Sequence, residues 1–167
     1  VDGGAGADVM NIVSTAAVPG IPTGATVTGV ETVNLTSGAA VTINTTANFT
    51  GMTALNITAV GDANVTAAAT TDVTATVSAH AANGLLADGG NDITITAAGS
   101  TTGLITVGGT TAASGDVTVT ANSALTADGT NGAIAVTGGD SISVSQVAAN
   151  AVNTTTTFGA VTATGDA

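Results

Sequence analysis

Lysine and arginine are absent from this sequence, as are cysteine, tryptophan and tyrosine, and each absence removes a class of function. Nucleic acids are bound by cationic side chains that displace the counterions condensed on phosphate, and a chain of formal charge -11 has none to offer. No nucleic-acid partner is expected, and anionic membrane surfaces are excluded on the same ground. Without cysteine there is no disulfide, no thiolate nucleophile and no Cys-containing zinc site. No run approaches the ~18 uninterrupted apolar residues that a membrane helix needs, so no membrane insertion is expected. Val1 follows no initiator Met and no basic segment precedes an apolar run. The 167 residues are therefore read as a single β-repeat domain or as a fragment of a longer repeat protein.

Aromatic residues are limited to Phe49 and Phe158, and the hydrophobic fraction of 44% comes mostly from Ala and Val. Such side chains bury little area each, which argues against a thick globular core and for many thin, regularly stacked layers. Thr is abundant, and with Val and Ile it favours strands through its branched Cβ.

Internal repetition is the most informative feature. The segment Thr28-Gly29-Val30-Glu31-Thr32-Val33-Asn34-Leu35-Thr36 matches Thr50-Gly51-Met52-Thr53-Ala54-Leu55-Asn56-Ile57-Thr58 at an offset of 22. Another 22 residues on lies Asp72-Val73-Thr74-Ala75-Thr76-Val77, followed at steps of 20, 24 and 24 by segments beginning at Asp92, Asp116 and Asp140. Each alternates apolar with Thr or Ser, the pattern of a strand with one buried face. Val41–Ile43, Asn64–Thr66, Leu104–Val107 and Ala133–Val136 read as second strands between them. Helical character is confined to Val77–Leu86, where Ala79, Ala81 and Ala82 permit a short helix or a loop.

Near-constant period and small side chains together predict an all-β fold, a parallel β-solenoid of coils of about 20–24 residues, with a β-sandwich as the alternative. Val33, Leu35, Leu55, Ile57, Val73, Ile93, Ile95, Val117, Val119, Ile142 and Val144 are expected inside.

Few residues can carry chemistry. Gly3-Gly4-Ala5-Gly6-Ala7-Asp8-Val9-Met10-Asn11 fits the nonapeptide G-G-x-G-x-D-x-U-x of calcium-binding turns, in which glycines allow positive φ and the Asp supplies a hard carboxylate oxygen. Gly4, Gly6 and Asp8 are thus candidate Ca2+ ligands, and residues 1–24 a candidate turn and N-terminal assembly segment. Leu85–Asp92 and Gly138–Asp140 are weaker echoes that add Asp88, Asp92 and Asp140. Ordinary Gly-Asp turns account equally well for Asp8 and better for the others. Aspartates 72, 92, 116 and 140 are expected at equivalent positions of successive coils, where like charges accumulate with no Lys or Arg to neutralise them. A divalent cation relieves that repulsion, and so does capping of turns in water.

His80 stands alone, with no G-x-S-x-G motif and no second His, and reads as a surface or loop residue. Glu31 has no paired carboxylate in its own motif, so the chain is not expected to be an enzyme. Asn-x-Thr triplets at Asn34, Asn44, Asn48, Asn56, Asn64 and Asn153 match the glycosylation pattern and equally the side-chain ladders of stacked coils.

The opening V-D-G-G-A-G-A-D-V-M-N, followed by T-V-T-G-V-E-T-V-N-L-T at 26–36, resembles the Thr-, Ala- and Gly-rich repeat regions of bacterial surface-layer proteins of the Caulobacter type and related RTX-containing secreted adhesins. The resemblance covers composition throughout, with sharp motifs in about the first 60 residues. It implies an extracellular, secreted β-rich protein at the bacterial cell surface that assembles with calcium. The expected function is structural: self-association head-to-tail in a surface layer or filament, with cell-surface polysaccharide as a further partner. Neither end shows a Pro, Lys or helical cap, and unpaired strand edges template addition of another chain. The alternative is a non-catalytic spacer or ligand-binding module of a large adhesin.

Overall fold

A computed structural model describes residues 1–80, 84–99, 102–125, 127–149 and 151–166. Among them the chain forms β1 (Val9–Ser14), β2 (Val27–Thr28), β3 (Thr32–Ser37), β4 (Val41–Asn44), β5 (Phe49–Thr50), β6 (Ala54–Ala59), β7 (Ala63–Ala67), β8 (Asp72–His80) and β9 (Leu85–Gly89). It continues with β10 (Ile93–Gly99), β11 (Ile105–Val107), β12 (Val117–Ser123), β13 (Gly129–Thr130), β14 (Ile134–Thr137), β15 (Ile142–Ala148), β16 (Thr156–Thr157) and β17 (Val161–Thr164). No helix occurs among these residues, and so none long and apolar enough to cross a membrane.

Two sheets carry the architecture. One has seven strands in the order β1-β3-β6-β8-β10-β12-β15, the other six in the order β17-β14-β11-β9-β7-β4. The pairings within both are parallel, and the chain alternates between the sheets, so each coil lays one strand on each. This is the β-solenoid, with about six turns of about 22 residues. A sandwich built from hairpins is excluded by the parallel register. The first coil contributes to the second sheet only through Val18, which bridges Val41.

Period-two alternation converts directly into columns. Met10, Val33, Leu55, Val73, Ile93, Val117 and Ile142 stack from coil to coil, and Ile12, Leu35, Ile57, Ala75, Ile95, Val119 and Val144 form the next inward column. All the residues expected inside are buried except Ile142 and Val144, which belong to the last strand of the sheet and are half-buried. Between the inward columns lies an outward polar one, in which Asn34 Nδ2 donates to Asn11 Oδ1 at 2.9 Å and Asn56 Nδ2 to Asn34 Oδ1 at 2.9 Å. The ladder reading of those Asn-x-Thr triplets thus has a direct counterpart.

The repeat is less even than the sequence spacing suggests. Ala54, not Thr50, lies beside Asp72, because the small sheet pairing β2 with β5 has no strand partner in the next coil. Between Ile105 and Ile134 the step lengthens, and the extra chain carries β13. Three of the expected second strands appear as β4, β11 and β14, and Asn64–Thr66 lies within β7. The helix expected over Val77–Leu86 is not formed at either end: β8 runs through His80 and β9 begins at Leu85, since Val77 and Leu85 fill inward positions of the two sheets. Ala81 and Ala82 lie outside the described residues.

Corners demand glycine where successive coils touch. At Gly108, with φ of 68°, an added Cβ would collide with the Thr137 carbonyl oxygen of the next coil. Polar corner side chains bond the neighbouring coil: Thr71 Oγ1 donates to Met52 O at 3.2 Å and Ser37 Oγ to Ala16 O at 3.0 Å.

Because each coil is held mainly by its neighbours, stability should be graded along the axis. Ile93→Ala, in the middle of a filled column, is expected to cost about 2–5 kcal/mol, and Ile142→Ala, on the last strand, distinctly less. Urea unfolding of the two variants measures the difference.

Candidate functional site

The nonapeptide stretch forms the corner that leads into β1. Gly4 and Gly6 take φ of 90° and 134°, conformations that favour glycine. Gly3 is packed so closely that a Cβ would strike the Gly29 carbonyl oxygen of the next coil. The turn is tied down by three contacts: Gly4 N donates to Asp2 Oδ1 at 3.1 Å, Asp8 N to Glu31 Oε2 at 2.7 Å, and Glu31 N to Asp8 O at 3.2 Å. Asp8 Oδ2 is buried and takes no hydrogen bond.

Asp8 and Glu31 thus meet at one corner from consecutive coils. An orphaned carboxylate oxygen is hard, anionic oxygen chemistry of the kind calcium takes. The motif around Glu31 does not mark it as a candidate; its distance from Asp8, one coil along the chain, is the signal that identifies it. No group of three or more Asp, Glu or His side chains close enough to hold a metal occurs among the described residues.

The other candidate aspartates are separate from this corner and from one another. Asp88 lies on β9, a strand where the sequence pattern predicts a turn, and its Oδ1 accepts from Thr110 N at 2.6 Å and Thr111 N at 2.7 Å. Asp72 Oδ1 accepts from Asn91 Nδ2 at 2.9 Å and from Asp92 N at 3.2 Å, and Asp92 Oδ1 accepts from Asp116 N at 2.9 Å. Each of these carboxylates caps an amide one coil further on, a charge-assisted bond that offsets the repulsion within the column. Asp140 leaves the column: Val117 pairs with Ile142, which sets Ser141 beside Asp116.

His80 corrects the expectation of a surface or loop residue. It is 1% exposed, at the end of β8, with Nδ1 at 2.6 Å from Asp62 Oδ1 and Nε2 at 3.1 Å from Gly103 O. The cause is a register shift: Val77 pairs with Ala97 but His80 with Gly99, so β8 holds one extra residue and the alternation changes phase. Ser78 and Ala79 both face outward and His80 turns in. The two ring nitrogens thus reach a carboxylate oxygen on one side and a backbone carbonyl on the other. The pair ties together three successive coils.

No protein-family model and no curated protein matches the chain.

Removing one partner deletes a buried hydrogen bond and the packing around it, so His80→Ala or Asp62→Ala should cost about 1–3 kcal/mol. Asp116→Ala, at an exposed corner, should cost under about 1 kcal/mol. Chemical denaturation of the three variants checks the ranking.

Proposed function

We propose that this chain is a structural, self-assembling secreted protein of a bacterial surface layer or extracellular filament, stabilised by calcium. The observation that carries the reading is the state of the seven-stranded sheet at its two ends. Among the described residues the outer edges of β1 and β15 have no strand beside them, while the columns between them run in register from coil to coil. Such edges are templates for further parallel strands. The resemblance to surface-layer and RTX-containing repeat regions agrees with this role and with a place at the cell surface. Cell-surface polysaccharide is a further partner under this proposal, and catalysis has no part in it. Calcium is assigned to the corner of Asp8, Gly4, Gly6 and Glu31, where a buried carboxylate oxygen lacks a partner.

A second reading, a non-catalytic spacer or ligand-binding module of a large adhesin, draws on one observation. The first coil does contain prolines: Pro19 and Pro22 follow Val18 where the second sheet begins, and each lacks an N–H for a strand ladder. The expectation of ends without proline therefore fails on this side of coil one.

Light scattering and electron microscopy decide between the two, with assembly expected for the first and a monomer at high concentration for the second. Added calcium should raise the melting temperature by mass action, a chelator should reverse the rise, and Asp8→Asn should abolish most of it. A melting curve indifferent to both calcium and chelator removes the metal from the proposal.

A further inference from the structure

Resting on the self-assembling reading above, we propose that the open edge of β1 receives β15 of a second copy of this chain, in the register that the internal columns prescribe. Met10 then meets Ile142, Asn11 meets Ser143, and Ile12 meets Val144. Four observations lead to this pairing.

First, the two inward columns end half-buried at both extremities, on Met10 and Ile12 at one and on Ile142 and Val144 at the other. Burial is incomplete where no further coil lies beyond β1 or β15 among the described residues, and each end supplies what the other lacks. Second, the core opens beneath β1 into an apolar cavity of about 550 Å³ lined by Met10, Ile12, Val18, Ile21, Leu35 and Phe49 among others. The second sheet turns away there at Pro19, so the cavity has no strand roof on that side. Val161 of the incoming copy, in the inward column of the second sheet through its pairing with Ile134, is the side chain placed over it.

Third, polar groups at the two ends are matched. The Asn ladder is polarised, each amide nitrogen donating toward the preceding coil, so the side-chain amide of Asn11 ends the series on the open side, where Ser143 offers a hydroxyl acceptor. Fourth, the residues of β1 and β15 carry no charge, in a chain of net charge -11, so the strand-to-strand contact itself holds no carboxylate, while the same register sets Asp140 beside Asp8 at the corner before the strands.

The absence of cysteine makes the test clean. Asn11 and Ser143 occupy exposed outward positions at opposite edges of a seven-stranded sheet, six strand spacings or ~29 Å apart, too far for a disulfide within one molecule. Across the proposed junction they lie at one spacing, ~4.8 Å, inside the disulfide range. Under mild oxidation the double variant Asn11→Cys with Ser143→Cys should give a ladder of covalent multimers that reductant collapses. Each single variant should give no band beyond a dimer, and the shifted pair Val13→Cys with Ser143→Cys should give several-fold less ladder. Assemblies seen by light scattering with no covalent ladder from the Asn11→Cys, Ser143→Cys variant, or an equal ladder from the shifted pair, would overturn this junction and leave the self-assembly reading standing. A monomer at every concentration overturns both.

Discussion

Everything in this protein follows from the parallel hydrogen-bonded contact between one coil and the next. That contact sets neighbouring strands ~4.8 Å apart and places equivalent side chains directly over one another. Inward columns must then be filled by residues that tolerate their own kind as neighbours, and Val, Ile, Leu and Ala do so without the gaps that aromatic rings would force. Corners must let two backbones approach, and glycine is required where an added Cβ would meet the neighbouring carbonyl, as at Gly3 and Gly108. Stability comes from repetition of a modest interaction rather than from a thick core, which explains how a chain with two Phe and no Trp folds at all.

The same stacking creates the molecule's electrostatic problem and much of its solution. A net charge of -11 with no Lys or Arg would, on a solenoid, stack carboxylate on carboxylate. Asp72, Asp88 and Asp92, on strands or at the corners between them, each accept amide protons from the following coil. The strand faces between are kept to Asn, Thr and Ser over most of their area. The single imidazole is used inside, paired with Asp62, at the place where a bulge turns β8 over. Asp8 is the exception to this scheme, because one of its oxygens is buried without a proton donor. That exception is why a cation is assigned to its corner and not to the aspartate column.

The two ends of the stack are unequal. At the end formed by coil one, the first sheet offers a bare edge while the second stops at Val18 and two prolines. At the far end both β15 and β17 are uncovered edges among the described residues. Under the proposed assembly, an edge open in one sheet and blunted in the other would give growth a direction.

Much of the architecture was legible in the residues themselves. Alternation of Thr with Val or Ile buries one face of a strand, and its recurrence near every 22 residues favours strands that lie on one another over a sandwich, so the solenoid and its inward residues were legible locally. The same was true of the Asp8 turn, whose glycines are written in the motif. What the chain could not disclose by itself were relations one coil apart. Glu31 reaches Asp8, Asp62 reaches His80, and Asp88 caps Thr110 and Thr111 only because the coils between them have a particular length. Coil length depends on corners and bulges that add or remove single residues, such as the one in β8 and the short step from Ala54 to Asp72. A shift of one residue reverses which face a side chain takes. Strand identity was therefore a property of local sequence, while the partners of His80, Asp8 and Asp140 were decided by register, which exists only once the coils are stacked.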